Sequence, residues 1–347
     1  MSAKMPETVL ESLNLGLQKA LQENRNVILL GEDILDPYGG SFKVTRGLST
    51  RFPEQVWTTP ISEAGITGIA GGMALRGMRP VVEIMFGDFT TLIADQVINH
   101  LTKFSTMYRQ QVNVPVVIRT PMGGRRGYGP THSQSLEKFF LGVPGLSVIA
   151  PFNLLGDSPI GAPGELLYKT ITKHNSPALF IENKTQYLLK LLSPADMIDY
   201  EVITVTPEDS FDCPFHKLSL RSSPPSQLSL AAYGYMAHLA MTAIKRLAYD
   251  YEIFCDLLVP TCLAPFHLAP LFKSVSQTGR LLTVEEGSQS LGWGAEVITR
   301  TAETLGDRLK ISGRVAAQGI VVPAAPDLET ECLPDEEDVI RKVLEMV

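Results

Sequence analysis

Short apolar runs alternate with stretches of helical period along this chain, and that alternation restricts the fold more than any other feature. "NVILLGED" (26–33), "PVVEIM" (80–85), "VPVVIRTP" (114–121), "LSVIAP" (146–151) and "PALFIE" (177–182) carry apolar residues at successive positions. Strands buried on both faces have that composition. Between the runs lie helical patterns. Residues 6–24 place Val9, Leu10, Leu13, Leu17 and Leu21 on one stripe. "GITGIAGGMALRGM" (65–78) predicts a buried helix whose small residues let other backbones come close, and 89–111 predicts one long helix. Strands alternating with helices imply a parallel sheet covered on both faces, an α/β fold. The pattern returns with strands at 228–234, 251–258 and 279–286 and helices at 236–249, 265–276, 293–305 and 335–346. Residues 185–227 are rich in Pro, Ser and charge and show no clear period, so they read as a linker. The expected organisation is a first domain over 1–184, a linker over 185–227 and a second domain over 228–347, in keeping with a length of 347 residues.

Several function classes fall away on composition. A formal net charge of −7 offers no clustered basic surface for nucleic acid. Cys213, Cys255, Cys262 and Cys332 are scattered, with no CxxC pair, so neither a zinc site nor a disulfide framework is expected. They read as reduced, buried thiols of a cytoplasmic protein. The N-terminal stretch reads as an amphipathic helix rather than a signal peptide, and no run of about 18 apolar residues suggests a membrane span.

Glu63, in "TPISEAGITGIAGG", is the one acid at the start of a small-residue helix. It reads either as a first-turn acid favoured by the helix dipole or as a desolvated carboxylate able to exchange a proton with a ligand nitrogen. His132, in "GPTHSQS", follows a predicted strand on a Gly-rich loop, where α/β sheets bind ligands; the alternative is a loop histidine bonded to nearby backbone. Arg125 and Arg126 share that loop, as anion contacts or as solvated charge. Phe86 and Phe89 flank "GD" and read as core or as stacking partners of a flat ring. "SLGWGAEV" (290–297) reads as a tight turn into a helix with close backbone packing.

These stretches occur together and in order: "GED", "GGSFKVTRGLSTRFP", "TPISEAGITGIAGGMALRGMRPVVEIMFGDF", "ADQVIN", "VPVVIRTP", "THSQS", "PGLSVIAP", "PALFIENK", then "AAYGYM", "GRLLTVEE", "GWGAEV" and "PAAPDLE". In this the chain resembles the β subunit of the thiamine-diphosphate-dependent 2-oxoacid dehydrogenases, the E1β of pyruvate or branched-chain complexes. The resemblance spans nearly the whole chain and is most specific through residue 151. It implies a parallel-sheet pyrimidine-binding domain followed by a transketolase C-terminal-like α/β domain. It implies that Glu63 is the cofactor-activating glutamate, which hydrogen-bonds the pyrimidine nitrogen and favours the imino tautomer that draws the proton from the thiazolium carbon. Phe89 matches the aromatic packed on the aminopyrimidine, with Phe86 beside it as a second candidate, and His132 matches the histidine of the "HSQ" motif.

One signature is missing. Family enzymes hold the diphosphate and a divalent metal with "GDG" and a later Asn. Here Gly87-Asp88, Gly156-Asp157 and Gly306-Asp307 are not followed by Gly. The resemblance therefore implies an α subunit that carries this motif and the Mg2+, an α2β2 heterotetramer, and an acyl acceptor such as a lipoyl domain. No metal ligand is expected on this chain. Departures from the family pattern are the long stretch 151–167, His174 where many members have Asp near a potassium site, and Leu258 where Arg is usual. Two other readings stay open: one half of a split transketolase-like or acyloin-forming carboligase, and a non-catalytic scaffold.

Overall fold

The computed structural model describes residues 5–208 and 212–347. The chain divides into two compact units, one of residues 1–122 and 139–191, the other of 123–138 and 192–347.

In the first unit the strands are β1 (Val27–Gly31), β2 (Val56–Thr58), β3 (Arg79–Glu83), β4 (Val117–Met122), β5 (Ser147–Ile149) and β6 (Ala178–Asn183). They lie in the order β5-β6-β4-β3-β1-β2, all parallel. The helices are α1 (Val9–Glu23), α2 (Leu48–Arg51), α3 (Glu63–Leu75), α4 (Thr102–Met107) and α5 (Gly161–Lys173). The apolar runs form the strands because every residue of β1, β4 and β5 is buried. Thr8 starts α1 through a capping box with Glu11, so two otherwise unpaired amides gain acceptors.

The helix α5 begins inside the long stretch 151–167 and crosses α1 at small residues. A Cβ at Gly164 would overlap the Ser12 carbonyl oxygen, and one at Gly16 would overlap the Gly164 carbonyl. Ser12 completes the contact by accepting from the Gly164 amide at 2.8 Å and donating to the Ile160 carbonyl at 2.5 Å.

The single helix expected over 89–111 is not what forms. A 3-10 turn over Gly87–Ile93 is followed by a π-helical turn over Gln96–Leu101 and only then by α4. Thr90 and Thr91 donate to the carbonyls of Gly87 and Asp88, at 2.6 and 3.0 Å, three residues back. Hydroxyls bonded locally in this way compete with the regular helical ladder.

The second unit holds β7 (Tyr200–Val205), β8 (Phe215–Leu220), β9 (Leu228–Ala232), β10 (Cys255–Pro260), the short β11 (Cys262–Ala264), β12 (Arg280–Ser288) and β13 (Ile311–Ala317). Its helices are α6 (Gly234–Tyr251), α7 (Ala269–Thr278), α8 (Trp293–Leu305), α9 (Pro326–Cys332) and α10 (Glu336–Met346). The sheet order is β13-β12-β9-β10-β8-β7; β7 and β8 pair antiparallel with each other, and β8 pairs antiparallel with β10.

Two strands, β7 and β8, thus occupy the segment read as a linker, and they belong to this sheet. Their residues are buried at one position of six in β7 and three of six in β8. An edge pair wetted on one face lacks the apolar run that marks a central strand. Leu258, the departure from the family's Arg, lies fully buried in β10 between Lys217 and Ala231 of the neighbouring strands. All four cysteines are buried free thiols, and no helix among the described residues is long and apolar enough to cross a membrane.

Candidate active site

The first unit collects carboxyl groups at the carboxyl ends of its parallel strands. The strand β1 ends at Gly31, so Glu32 is the first residue past it, and α3 starts at Glu63 after the cap residue Ser62. Residues 31 apart in sequence come together there: Glu32 is 5% exposed and Glu63 is 8% exposed. The Ser62 amide donates to the Glu32 carboxylate. Burial, and then the negative charge of Glu63, push the Glu32 carboxyl above its ordinary range. The Glu32 Oε1 atom is buried with no hydrogen-bond partner among the described residues. Glu63 sits in the first turn of α3, where the helix dipole favours an acid, and the buried face of that helix is Ile66, Thr67, Ala70, Gly71 and Ala74.

The aromatic residues follow β3. Phe86 precedes the 3-10 turn and meets Phe89 edge-on, with ring centroids 5.8 Å apart at 67°. Phe42 closes on Phe86 at 5.6 Å and on Tyr187 at 5.4 Å. The ammonium of Lys184, a fully buried side chain, lies 5.2 Å from the Phe86 ring centre. Phe86 therefore packs within a cluster of rings and one cation, and Phe89 is half-buried beside it.

A second group of acids in this unit is neutralised internally. Arg119 of β4, 1% exposed, donates through Nε to Glu182 at 2.8 Å and makes ion pairs with Glu83 and Glu182. Tyr187 adds its hydroxyl to Glu182 at 2.6 Å. The register places Glu83 directly opposite Arg119. Burial pushes the Glu83 carboxyl up, while the two acids hold the Arg119 guanidinium charged. Neither Glu32 nor this network was predicted from the sequence. The signal was present in single charged residues inside apolar strand runs, "PVVEIM", "VPVVIRTP" and "PALFIE", each of which needs a partner once buried.

His174 is the residue after α5, and its Nε2 lies 3.0 Å from the Ser147 hydroxyl. Its carbonyl accepts from the Arg79 guanidinium. Burial, with the charge of Arg79, lowers its pKa to about 4.

His132 belongs to the second unit, on the loop 123–138. Its Nδ1 is 2.9 Å from the Thr131 hydroxyl, and its amide donates to the Gly129 carbonyl at 3.3 Å. The loop turns through positive φ at Gly123, Arg125, Gly127 and Gly129. Its amides are moored by two acids. Gly124 donates to Glu286 at 2.6 Å, and Arg125 and Gly127 donate to the two oxygens of Glu329, both at 2.9 Å. The Arg125 guanidinium donates to the Pro334 carbonyl and lies 5.4 Å from the Tyr235 ring centre, so it is committed within the fold. Arg126 is exposed.

At the end of the loop, buried Glu137 accepts from the Tyr233 hydroxyl at 2.5 Å. Nearby, Glu285 accepts the first amides of α8, from Trp293 at 2.7 Å and Gly294 at 2.9 Å. Burial raises the Glu285 carboxyl to about 7 and pushes Glu137 up as well. This explains "SLGWGAEV": a Cβ at Gly294 would overlap the Thr283 hydroxyl. Glu63, Phe86 and Phe89 thus lie in the first unit and His132 in the second. Among the described residues no group of three or more His, Cys, Asp or Glu could hold a metal ion.

Comparison with known proteins agrees with the two-domain fold. Residues 7–188 match the family model for the transketolase pyrimidine binding domain, and 219–339 that for the transketolase C-terminal domain. The chain is 32% identical over 336 residues to the pyruvate dehydrogenase E1 component subunit beta-1, mitochondrial, of Oryza sativa subsp. japonica, covering 96% of this chain and 85% of that one. It is 31% identical over 350 residues to the acetoin:2,6-dichlorophenolindophenol oxidoreductase subunit beta of Bacillus subtilis (strain 168), covering 97% and 96%. Among solved structures, a split gene transketolase described as an inactive beta4 tetramer superposes with a TM-score of 0.74 at 19% identity, covering 98% of each chain, which is a likeness of fold. By its two transketolase-type domains and its near full-length relatives, this chain belongs to the E1 β subunits of the thiamine-diphosphate-dependent 2-oxoacid dehydrogenases and their acetoin-oxidising kin.

Proposed function

We propose that this chain is the catalytic β half of a heteromeric enzyme that decarboxylates a 2-oxo acid with thiamine diphosphate and passes the acyl unit to an acceptor such as a lipoyl group. The observation that carries the reading is the buried pair Glu32 and Glu63, with the Glu32 Oε1 atom lacking any partner among the described residues. Acids desolvated in that manner are costly unless a ligand completes their hydrogen bonds. The residues fit the pyrimidine end of the coenzyme, with carboxyl groups for ring nitrogens and the half-buried Phe89 for a flat face.

Thiamine diphosphate, when bound, supplies the nucleophilic carbon and the electron sink for decarboxylation. Glu63 holds the ring nitrogen of the aminopyrimidine and shares a proton with it, in a dry setting where competing water does not weaken the bond. Burial, and then the negative charge of Glu63, let Glu32 keep its own proton to higher pH. Phe89, with Phe86 behind it, fixes the plane of the ring. His132 moves or holds a proton during acyl transfer. The diphosphate and its Mg2+ fall to an α subunit with the GDG…Asn motif, in an α2β2 assembly located in the cytoplasm.

Reconstitution with that α subunit tests the reading. Glu63→Ala abolishes 2-oxo acid turnover and weakens thiamine diphosphate binding measured by calorimetry, while the melting temperature holds. Unchanged turnover would overturn it. An acyl-transfer assay with lipoylated and unlipoylated acceptor domains then identifies the acceptor.

A further inference from the structure

Two of the four thiols, Cys213 just ahead of β8 and Cys262 in β11, meet beside the end of the β8 and β10 pair in the second unit. The register of β8 and β10 ends with Pro260 opposite Phe215. It continues one step further, because the Thr261 amide donates to the Pro214 carbonyl at 3.2 Å and the Thr261 hydroxyl donates to the same oxygen at 2.6 Å. Cys262 and Cys213 are the next residues along the two segments. The Thr261 and Pro214 contact therefore sets the two cysteines one residue beyond a hydrogen-bonded pair, on facing segments. A disulfide bridges Cα atoms about 4.4–6.8 Å apart, a spacing that neighbouring antiparallel segments supply.

We propose that Cys213 and Cys262 form an oxidisable dithiol site, which a peroxide converts into an intrachain disulfide. The side chains are already in hydrogen-bond contact with each other, and His267 hydrogen-bonds Cys262 as well. Cys262 is the better exposed of the two, at 8% against 1%, and His267 beside it is half-buried, so a molecule as small as peroxide has an approach. The hydrogen bond from Cys213, and then that from His267, holds the Cys262 thiol below its ordinary range, while Cys213 is pushed up. The remaining thiols lack this arrangement. Cys255 is opposite Leu228 in the sheet and burial pushes it up to about 12. Cys332 ends α9 among Ala317, Val322 and Leu333.

The chemistry balances with peroxide as the two-electron oxidant. The Cys262 thiolate attacks one peroxide oxygen, the O–O bond breaks, and hydroxide leaves with a sulfenic acid on Cys262. The Cys213 sulfur then attacks the Cys262 sulfur, and the sulfenic oxygen leaves as water with the Cys213 proton. The net change is two thiols and one peroxide to one disulfide and two waters.

Hydrogen peroxide on the purified full-length chain is the test, read by intact mass and peptide mapping. The expected result is a mass loss of about 2 Da, reversed by dithiothreitol, with one linked peptide joining Cys213 to Cys262. Cys213→Ser stops the reaction at a sulfenic acid that dimedone captures on Cys262, and Cys262→Ser abolishes both products. If either variant fails to fold, mapping of the unsubstituted chain decides by itself. Absence of the Cys213–Cys262 peptide, or linkage through Cys255 or Cys332 instead, would overturn the proposal.

Discussion

The first unit contains two groups of buried acids that its fold treats in opposite ways. Around Arg119, Glu83 and Glu182 share a guanidinium and Glu182 also accepts from a tyrosine hydroxyl, so each carboxyl group has a hydrogen-bonding counterpart inside the protein. At the start of α3, Glu32 has the like charges of Glu63 and Asp33 around it and one amide from Ser62, and its Oε1 atom is left without a hydrogen-bond partner among the described residues. Both groups lie past or near the carboxyl ends of adjacent parallel strands. The contrast separates holding the sheet together from waiting for a ligand: a structural acid is satisfied by its own chain, and a ligand-facing acid is not.

Substitutions can break this contrast from either side. Arg119→Met leaves Glu83 and Glu182 buried without compensation, and chemical denaturation should show a loss of about 3–5 kcal/mol. A loss under about 1 kcal/mol would mean that the network is as replaceable as a surface ion pair. On the other side, Glu63→Gln keeps the shape of α3 but removes the acid. The reconstituted enzyme should lose about 10²–10⁴-fold in kcat, with the melting temperature unchanged or raised. A fall in stability as large as that of Arg119→Met would place Glu63 among the structural acids instead.

Buried histidines follow the same desolvation rule. Burial lowers His216 to about 4, and His174 also falls to about 4 through burial and Arg79. In each case the unfolded chain takes up protons first. The stability present above about pH 6.5 is lost as pH falls toward 4, by up to about 3 kcal/mol per residue. His216→Gln should flatten the part of this acid limb that His216 causes, in urea titrations at pH 7 and pH 4.5.

Glu32→Gln is the smallest effect. Because its carboxyl is raised in the folded state, the stability Glu32 contributes is full below the unfolded value and declines as pH rises. The substitution should raise the melting temperature by something of the order of 1 °C at pH 8, with the gain gone near pH 4. A destabilised variant at pH 8 would show that Glu32 is satisfied in the native state after all.

Legibility followed the range of the interaction. Glu63 could be singled out because it stands alone before a run of Gly and Ala, and the apolar runs marked the central strands because burial on both faces leaves no polar positions. Glu32 stands in the sequence merely as one of two acids closing "NVILLGED", since nothing local places it beside a residue 31 positions on. The segment 89–111 had the composition of a helix, yet the hydroxyls of Thr90 and Thr91 took carbonyls that a regular helix would have used. His132 was visible on its Gly-rich loop, but Glu286 and Glu329, which moor that loop, lie more than 150 residues later.

By itself the sequence determined what short-range chemistry can encode: strand and helix periods, the Thr8 cap, and an acid at the first turn of a small-residue helix. Tertiary structure alone decided which charges meet. It set Arg119 between Glu83 and Glu182, put Glu32 against Glu63, made an antiparallel edge of β7 and β8, and brought the Cys213 thiol to Cys262. The reason is physical: propensity and period act over a few residues, whereas desolvation and strand register depend on segments that become neighbours only when the sheet closes.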